Sequence, residues 1–126
     1  MPQKKYADTD FFLALMKESD WLKKKAKQVY LQNKENIWIS PFTIVEIMII
    51  CKRESISIKE TLIQISRIAQ LEILSWEIFV KACNYMEKEA TIFDSLLMAL
   101  CSEDDKIISS DNIYEKFGFS VIDLKK

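Results

Sequence analysis

"KIISSDNIYEKF", residues 106–117, begins as an apolar, strand-like run, stops at Ser109-Ser110-Asp111 and continues as a short helical pattern. A strand that ends on two hydroxyls and a carboxylate admits two readings. Asp111 could cap the helix near "NIYEKF", accepting backbone N–H groups that have no partner in the first turn. Alternatively, it belongs to an acidic site assembled from distant parts of the chain. The same order, a short apolar run and then a helix, recurs along the whole sequence.

"KKYA" (4–7) reads as a brief strand, with Asp8 or Thr9 capping a helix through "FFLALMK". A second helix is expected from about Ser19 to Gln32, with Trp21, Leu22, Ala26, Val29 and Tyr30 on one stripe. "NIWIS" (36–40) is strand-like, and Ser40-Pro41 opens a helix, proline being favoured in the first turn. Ser57 and Glu60 form a capping box that starts a helix to about Gln70. "LEIL" (71–74) is a third strand candidate, Ser75 caps "WEIFVKACNYMEKE", and Thr91 precedes the helix "IFDSLLMALCSE". "KIIS" and "SVIDL" complete the strands. Strands alternating with helices long enough to cross over predict an α/β fold. The expected form is a three-layer α/β/α sandwich around a mostly parallel sheet of about five strands. With no repeat or linker, residues 1–126 are expected to form one domain.

Composition narrows the chemistry. Apolar residues make up 49% of the chain, enough for a real core, and the net charge of -1 gives no strongly basic surface overall. The longest apolar stretch, "FTIVEIMIIC", is short and broken by Glu46, so no membrane span is expected. "MPQKKYADTDFF" lacks the apolar core of a signal peptide, and the three cysteines have no paired spacing. A reduced, cytoplasmic protein follows as the expectation. With no histidine, imidazole bases and His-ligated zinc are excluded. With Gly118 as the single glycine, phosphate-cradling glycine loops are excluded too. Catalysis would rest on carboxylates, hydroxyls, lysines, cysteines, or a metal held by oxygen.

Four acids are the candidates: Asp8, Glu46, Asp94 and Asp111. Each has a local explanation. Asp8 and Asp111 can cap helices, Asp94 lies three residues after Thr91 as in a capping box, and Glu46 could lie on a solvated face with Thr43, Ile50 and Arg53. Glu46 is nevertheless the only charge from Pro41 to Ile49. Taken together the four are better explained as a cluster. Close carboxylates repel and raise one another's pKa unless a cation compensates them. Oxygen-only ligands point to a hard ion, Mg²⁺ or Mn²⁺, able to acidify water for attack on a phosphodiester.

These segments resemble the PIN-domain ribonucleases, especially the small single-domain VapC toxins of toxin–antitoxin pairs. "YADTDFFLAL" is similar to that family's opening strand and D-T-N/D signature, "ISPFTIVEIMIICKR" to its second strand and S-x-x-T-x-x-E helix, and "TIFDSLLMAL" to its D-x-h-h-x-A-x-A helix, with Asp94 as the third acid. "IISSDNIYEKF" resembles its T/S-x-D-x-x-F/Y motif, with Ser109 and Asp111 in the polar positions, and "SVIDL" its closing strand. Departures are mild: Asp10 stands where asparagine is common, Ser109 replaces a threonine, and Ser102 falls near a usual alanine or glycine. The resemblance implies a PIN-like fold and metal-dependent endonucleolytic cleavage of RNA. It implies Asp8, Glu46 and Asp94 as metal ligands, and Asp111 as a fourth ligand or holder of a water. Ser109 would orient a carboxylate or water. It also implies a homodimer and often a small antitoxin partner. Two alternatives stay open: an RNA-processing nuclease outside any toxin–antitoxin pair, and a catalytically silent interaction module. A related phosphoesterase acting on DNA is a further class, although the chain has no room for its helical arch.

Lys4, Lys5, Lys52 and Arg53 are candidates for RNA phosphate contacts, beside the plainer reading of solvated side chains. "KKKAK" (23–27) is expected to be an exposed helix face. Trp21, Trp38 and Trp76 could stack on unpaired bases, core placement being the favoured reading. Asp10 could add a fifth oxygen, a solvated helix-start acid being favoured.

Overall fold

The computed structural model of the chain describes residues 3–17 and 20–126. Among these residues five strands form one sheet: β1 (Lys5–Ala7), β2 (Ile37–Ile39), β3 (Gln70–Leu71), β4 (Lys106–Ser109) and β5 (Val121–Asp123). Their order is 3-2-1-4-5 and every pairing is parallel. Seven helices connect them: α1 (Thr9–Met16), α2 (Lys23–Asn33), α3 (Pro41–Arg53), α4 (Ile58–Ser66), α5 (Trp76–Met86), α6 (Ile92–Leu100) and α7 (Ile113–Lys116). The sheet is thus wholly parallel and covered on both faces, a three-layer α/β/α sandwich.

Strand periodicity sorts the side chains between two cores. Ala7, Ile37, Ile39 and Ile108 pack against Phe11 and Phe12 of α1, Ala26 and Val29 of α2, Ile47 of α3 and Ile65 of α4. Tyr6, Trp38 and Ile107 face the other way, onto Ala82 of α5, Leu97 and Met98 of α6, and Tyr114 of α7. The order explains this division. From β1 the chain steps outward to β2 and β3, then returns past β1 to β4 and β5. Because parallel crossovers are right-handed, reversing the direction of travel moves the covering helices to the opposite face. The reversal lies between β1 and β4, whose carboxyl ends carry Asp8 and Ser109 to Asp111. That is where such sheets place their functional crevice.

Local signals set most helix starts. Ser40, buried, accepts from the Thr43 N–H at 3.1 Å, Ser57 from Glu60 at 3.4 Å, and Thr91 from Asp94 at 3.2 Å. Other expectations differ. The proposed start at Ser19 lies outside the described residues; α2 begins at Lys23, after a turn in which Asp20 accepts from the Leu22 N–H at 2.9 Å. Trp21 belongs to that turn, so the helical stripe does not govern it, and it is 76% exposed. Trp76, the first residue of α5, is 85% exposed, whereas Trp38 is half-buried beneath the Lys4 ammonium. Core placement therefore fails for Trp21 and Trp76. α4 stops at Ser66 because Ile68 and Ala69 turn back onto the Ile65 carbonyl. β3 is shorter than "LEIL": Glu72 turns toward Tyr6 and Lys4, and Ile73 projects outward. No described helix is long and apolar enough to cross a membrane. Cys51 and Cys101 are buried, Cys83 is exposed, and all three are free thiols.

Candidate active site

Asp8 directly extends β1: its N–H donates to the Ile108 carbonyl at 2.9 Å, continuing the ladder to β4. Its side chain accepts from the Thr9 N–H at 2.8 Å, so it does cap α1. Its other oxygen accepts from the Tyr114 hydroxyl at 2.7 Å and faces the Ser109 hydroxyl at 3.2 Å. Burial, reinforced by the charge of Asp10, pushes the Asp8 carboxyl up to about 7 despite the Tyr114 and Thr9 bonds that favour the anion. Capping and clustering are both true of this residue.

The other acids reach the same place from different elements. Glu46, one and a half turns into α3, accepts from the Thr9 hydroxyl. Asp94 leaves the reciprocal half of its capping box unmade; its carboxylate accepts from the Tyr114 hydroxyl at 2.9 Å. Asp10 was favoured as a solvated acid, and here the structure corrects the expectation. Its carboxylate accepts from the Ser110 N–H at 2.7 Å and from the Ser110 hydroxyl, while its second oxygen is buried without a partner. Burial raises its pKa against those two bonds. Asp111 is exposed and accepts from the Ile113 N–H at 3.0 Å, the first N–H of α7, although the cap position itself is Asn112. Ser109 is fully buried: its hydroxyl accepts from the Asp111 N–H at 3.0 Å and is positioned to donate to Asp8.

Together Asp8, Asp10, Glu46, Asp94 and Asp111 wall an open cleft of about 560 Å³. Among the described residues none of them is salt-bridged to a lysine or arginine. As the side chains stand, no three acids among these residues are close enough to hold one metal ion.

The sequence does not mark Tyr114, Thr9 or Ser110 as site residues. Tyr114 is completely buried, and its hydroxyl spans Asp8 and Asp94. Burial and the two carboxylates push the phenol far above the usual tyrosine range, so it remains a donor. The signal for it is present in the sequence: it occupies the aromatic position three residues after Asp111.

The expected phosphate contacts lie elsewhere. Lys4 and Lys5 sit at the amino end of β1, opposite Asp8, and Lys4 pairs with Glu72 at 2.9 Å. Lys52 and Arg53 are exposed in the last turn of α3, with Arg53 3.5 Å from Glu54. None of the four lines the cleft; Lys125 does.

A family model described as the PIN domain matches residues 5–120, nearly the whole chain. The chain belongs to the PIN domain family. Solved PIN-like structures agree in fold. VapC20 of Mycobacterium tuberculosis, a sarcin–ricin loop cleaving toxin, is 16% identical with a TM-score of 0.75, over 92% of this chain and 96% of that one. A toxin–antitoxin complex from Klebsiella pneumoniae is 17% identical with a TM-score of 0.75, over 96% and 98%. The DNA-bound VapBC of Salmonella typhimurium is 13% identical with a TM-score of 0.71, over 98% and 99%. At the level of sequence, no curated protein matches this PIN domain.

Proposed function

We propose that this PIN domain is an endoribonuclease that uses Mg²⁺ or Mn²⁺ and serves as the toxin of a toxin–antitoxin pair. The observation that carries the reading is the convergence of Asp8, Glu46, Asp94 and Asp111 on one cleft, none of them salt-bridged to a lysine or arginine among the described residues. The donor set fits a hard divalent ion: every candidate ligand is an oxygen, and the buried Asp10 oxygen has no partner. Asp8, Glu46 and Asp94 would hold the ion, and Asp111 would complete the set at the mouth. A bound cation would acidify water and neutralise charge on the phosphodiester. The chain's own residues prepare the site. Thr9 steers Glu46, Tyr114 ties Asp8 to Asp94, and Ser109 links Asp8 to the backbone ahead of α7. The fold likeness to toxin–antitoxin complexes supports an antitoxin partner; a homodimer is part of the same reading.

The test is Asp8→Asn. It should abolish Mn²⁺-dependent cleavage of single-stranded RNA while the circular dichroism spectrum and melting transition stay native. Cleavage by Asp8→Asn at the wild-type rate would remove the site assignment. A second reading, a silent interaction module, rests on the distance between the acids: as the side chains stand, no three of them among the described residues are close enough to share one ion. Calorimetry separates the two: the nuclease binds Mn²⁺ and Asp8→Asn weakens that binding, whereas the silent module binds none.

A further inference from the structure

Beside the acidic cleft lies a second groove, of about 280 Å³, bordered by Trp21, Lys24, Lys25, Lys125 and Lys126. Lys125 borders both, so the two are neighbours. This surface joins two segments far apart in sequence: the turn into α2, and the residues that follow β5. Its chemistry is the inverse of the cleft's. It gathers four lysines in a chain whose net charge is -1. The nearby acids are turned onto the backbone, Asp20 accepting from the Leu22 N–H at 2.9 Å and Asp123 from the Lys125 N–H at 2.8 Å. Among the described residues none of the four lysines forms a salt bridge. Lys23, next in sequence, is different: its ammonium donates to the Leu15 and Lys17 carbonyls and closes the end of α1. Among these cations stands the Trp21 indole, 76% exposed.

We infer that this groove holds a single-stranded stretch of the RNA beside the scissile phosphodiester. The lysines take its phosphates and the Trp21 ring stacks on an unpaired base. The inference rests on reading the acidic cleft as a nuclease site, and it supplies what that cleft lacks. A basin of carboxylates repels a polyanion, so substrate must be retained by neighbouring cations, and Lys125 places them at the rim. An exposed indole among lysines matches the platforms that bind single strands, where each base offers a face for stacking. A duplex keeps its bases stacked inside and offers Trp21 no such face.

The test uses the full chain with a fluorescein-labelled single-stranded RNA in excess chelator, so that binding is read without cleavage. Trp21→Ala should weaken binding about 5- to 150-fold, the range expected for loss of one base–aromatic stack, and Trp21→Phe should keep most of the affinity. The double variant Lys24→Gln/Lys25→Gln should reduce the slope of log affinity against log salt by about 1.4, at ~0.7 per phosphate contact on a single strand. Duplex RNA should bind more weakly and be indifferent to Trp21→Ala. Native melting transitions exclude misfolding; where Trp21→Ala fails to fold, Trp21→Phe and the lysine pair carry the test. Wild-type affinity in Trp21→Ala, or an unchanged salt slope in the lysine pair, overturns the proposal. So does polyglutamate binding of equal strength and equal dependence on Trp21, which would assign the groove to an acidic protein partner. Asp8→Asn keeps the two readings apart. It should lose cleavage and retain RNA binding, so a failure of this groove leaves the cleft assignment intact, and the reverse.

Discussion

At Tyr114 one phenolic proton stands between two carboxylates, 2.7 Å from Asp8 and 2.9 Å from Asp94. It cannot donate fully to both, so the hydroxyl positions the pair by sharing. Tyr114→Phe leaves the aromatic packing in place and removes only that tie. We expect a 10- to 100-fold loss in Mn²⁺ affinity or in RNA cleavage, the usual effect of removing a ligand's outer partner, roughly as for buried metal sites generally. Calorimetry with Mn²⁺ checks it, and unchanged affinity together with unchanged cleavage would reduce Tyr114 to a packing residue. Asp8 supplies a pH dependence. Its folded carboxyl titrates at about 7 against an ordinary 3.8, so between those values the native state holds a proton that the unfolded chain has released. In chelator, stability contributed below the lower value is therefore lost as pH rises toward the higher one. Asp8→Asn cannot titrate and should lose less over the same window. Melting temperatures of both proteins from about pH 4 to about pH 8 decide it, and parallel profiles would refute the assignment.

Elements carry these side chains to their places through their starting points. Ser40 is fully buried at the start of α3, accepting from the Thr43 N–H at 3.1 Å and lying 2.8 Å from the Thr43 hydroxyl. This cap, with Pro41 after it, sets where the first turn begins and hence where Glu46 points. Ser40→Ala should cost about 1–2 kcal/mol in urea unfolding, as loss of a helix cap does. RNA cleavage should fall with it; full stability would mean that proline alone defines the start. The elements also show where sequence patterns mislead. Trp21 fitted a helical stripe with Leu22 and Ala26, but the helix starts at Lys23 and the turn before it points the indole outward. Asp94 shows the converse. Its N–H completes the cap with Thr91 as the pattern required, while its carboxylate serves the cleft.

For the whole molecule, the acidic cleft and the basic groove at its rim are one electrostatic arrangement made by the fold. Uncompensated carboxylates at the switch point are a cost to the native state that a cation would remove. Mn²⁺ at a hundredfold excess over its dissociation constant should therefore stabilise the protein by about 2.7 kcal/mol, as linkage requires of any ligand bound to the native state alone. The shift appears as a rise in melting temperature that Asp8→Asn loses. No rise in the wild type would argue against cation binding.

The chain's alternation of short apolar runs and capped helices was enough to determine a parallel sheet covered on both faces. Periodicity and caps act over a few residues and can be read from a single segment. That Glu46 and Asp94 stand out was legible too, because a charge set in an apolar run is conspicuous locally, and Asp8 because it directly follows the first strand; the structure places all three on one cleft. The partners of those acids were not. Whether Tyr114 is packing or a bridge, whether Asp10 is solvated or clasped by Ser110, and whether Lys4 or Lys125 flanks the cleft depend on which segments meet. Only the tertiary structure decided them, because strand order brings residues a hundred positions apart within hydrogen-bonding reach, and no local pattern encodes that order.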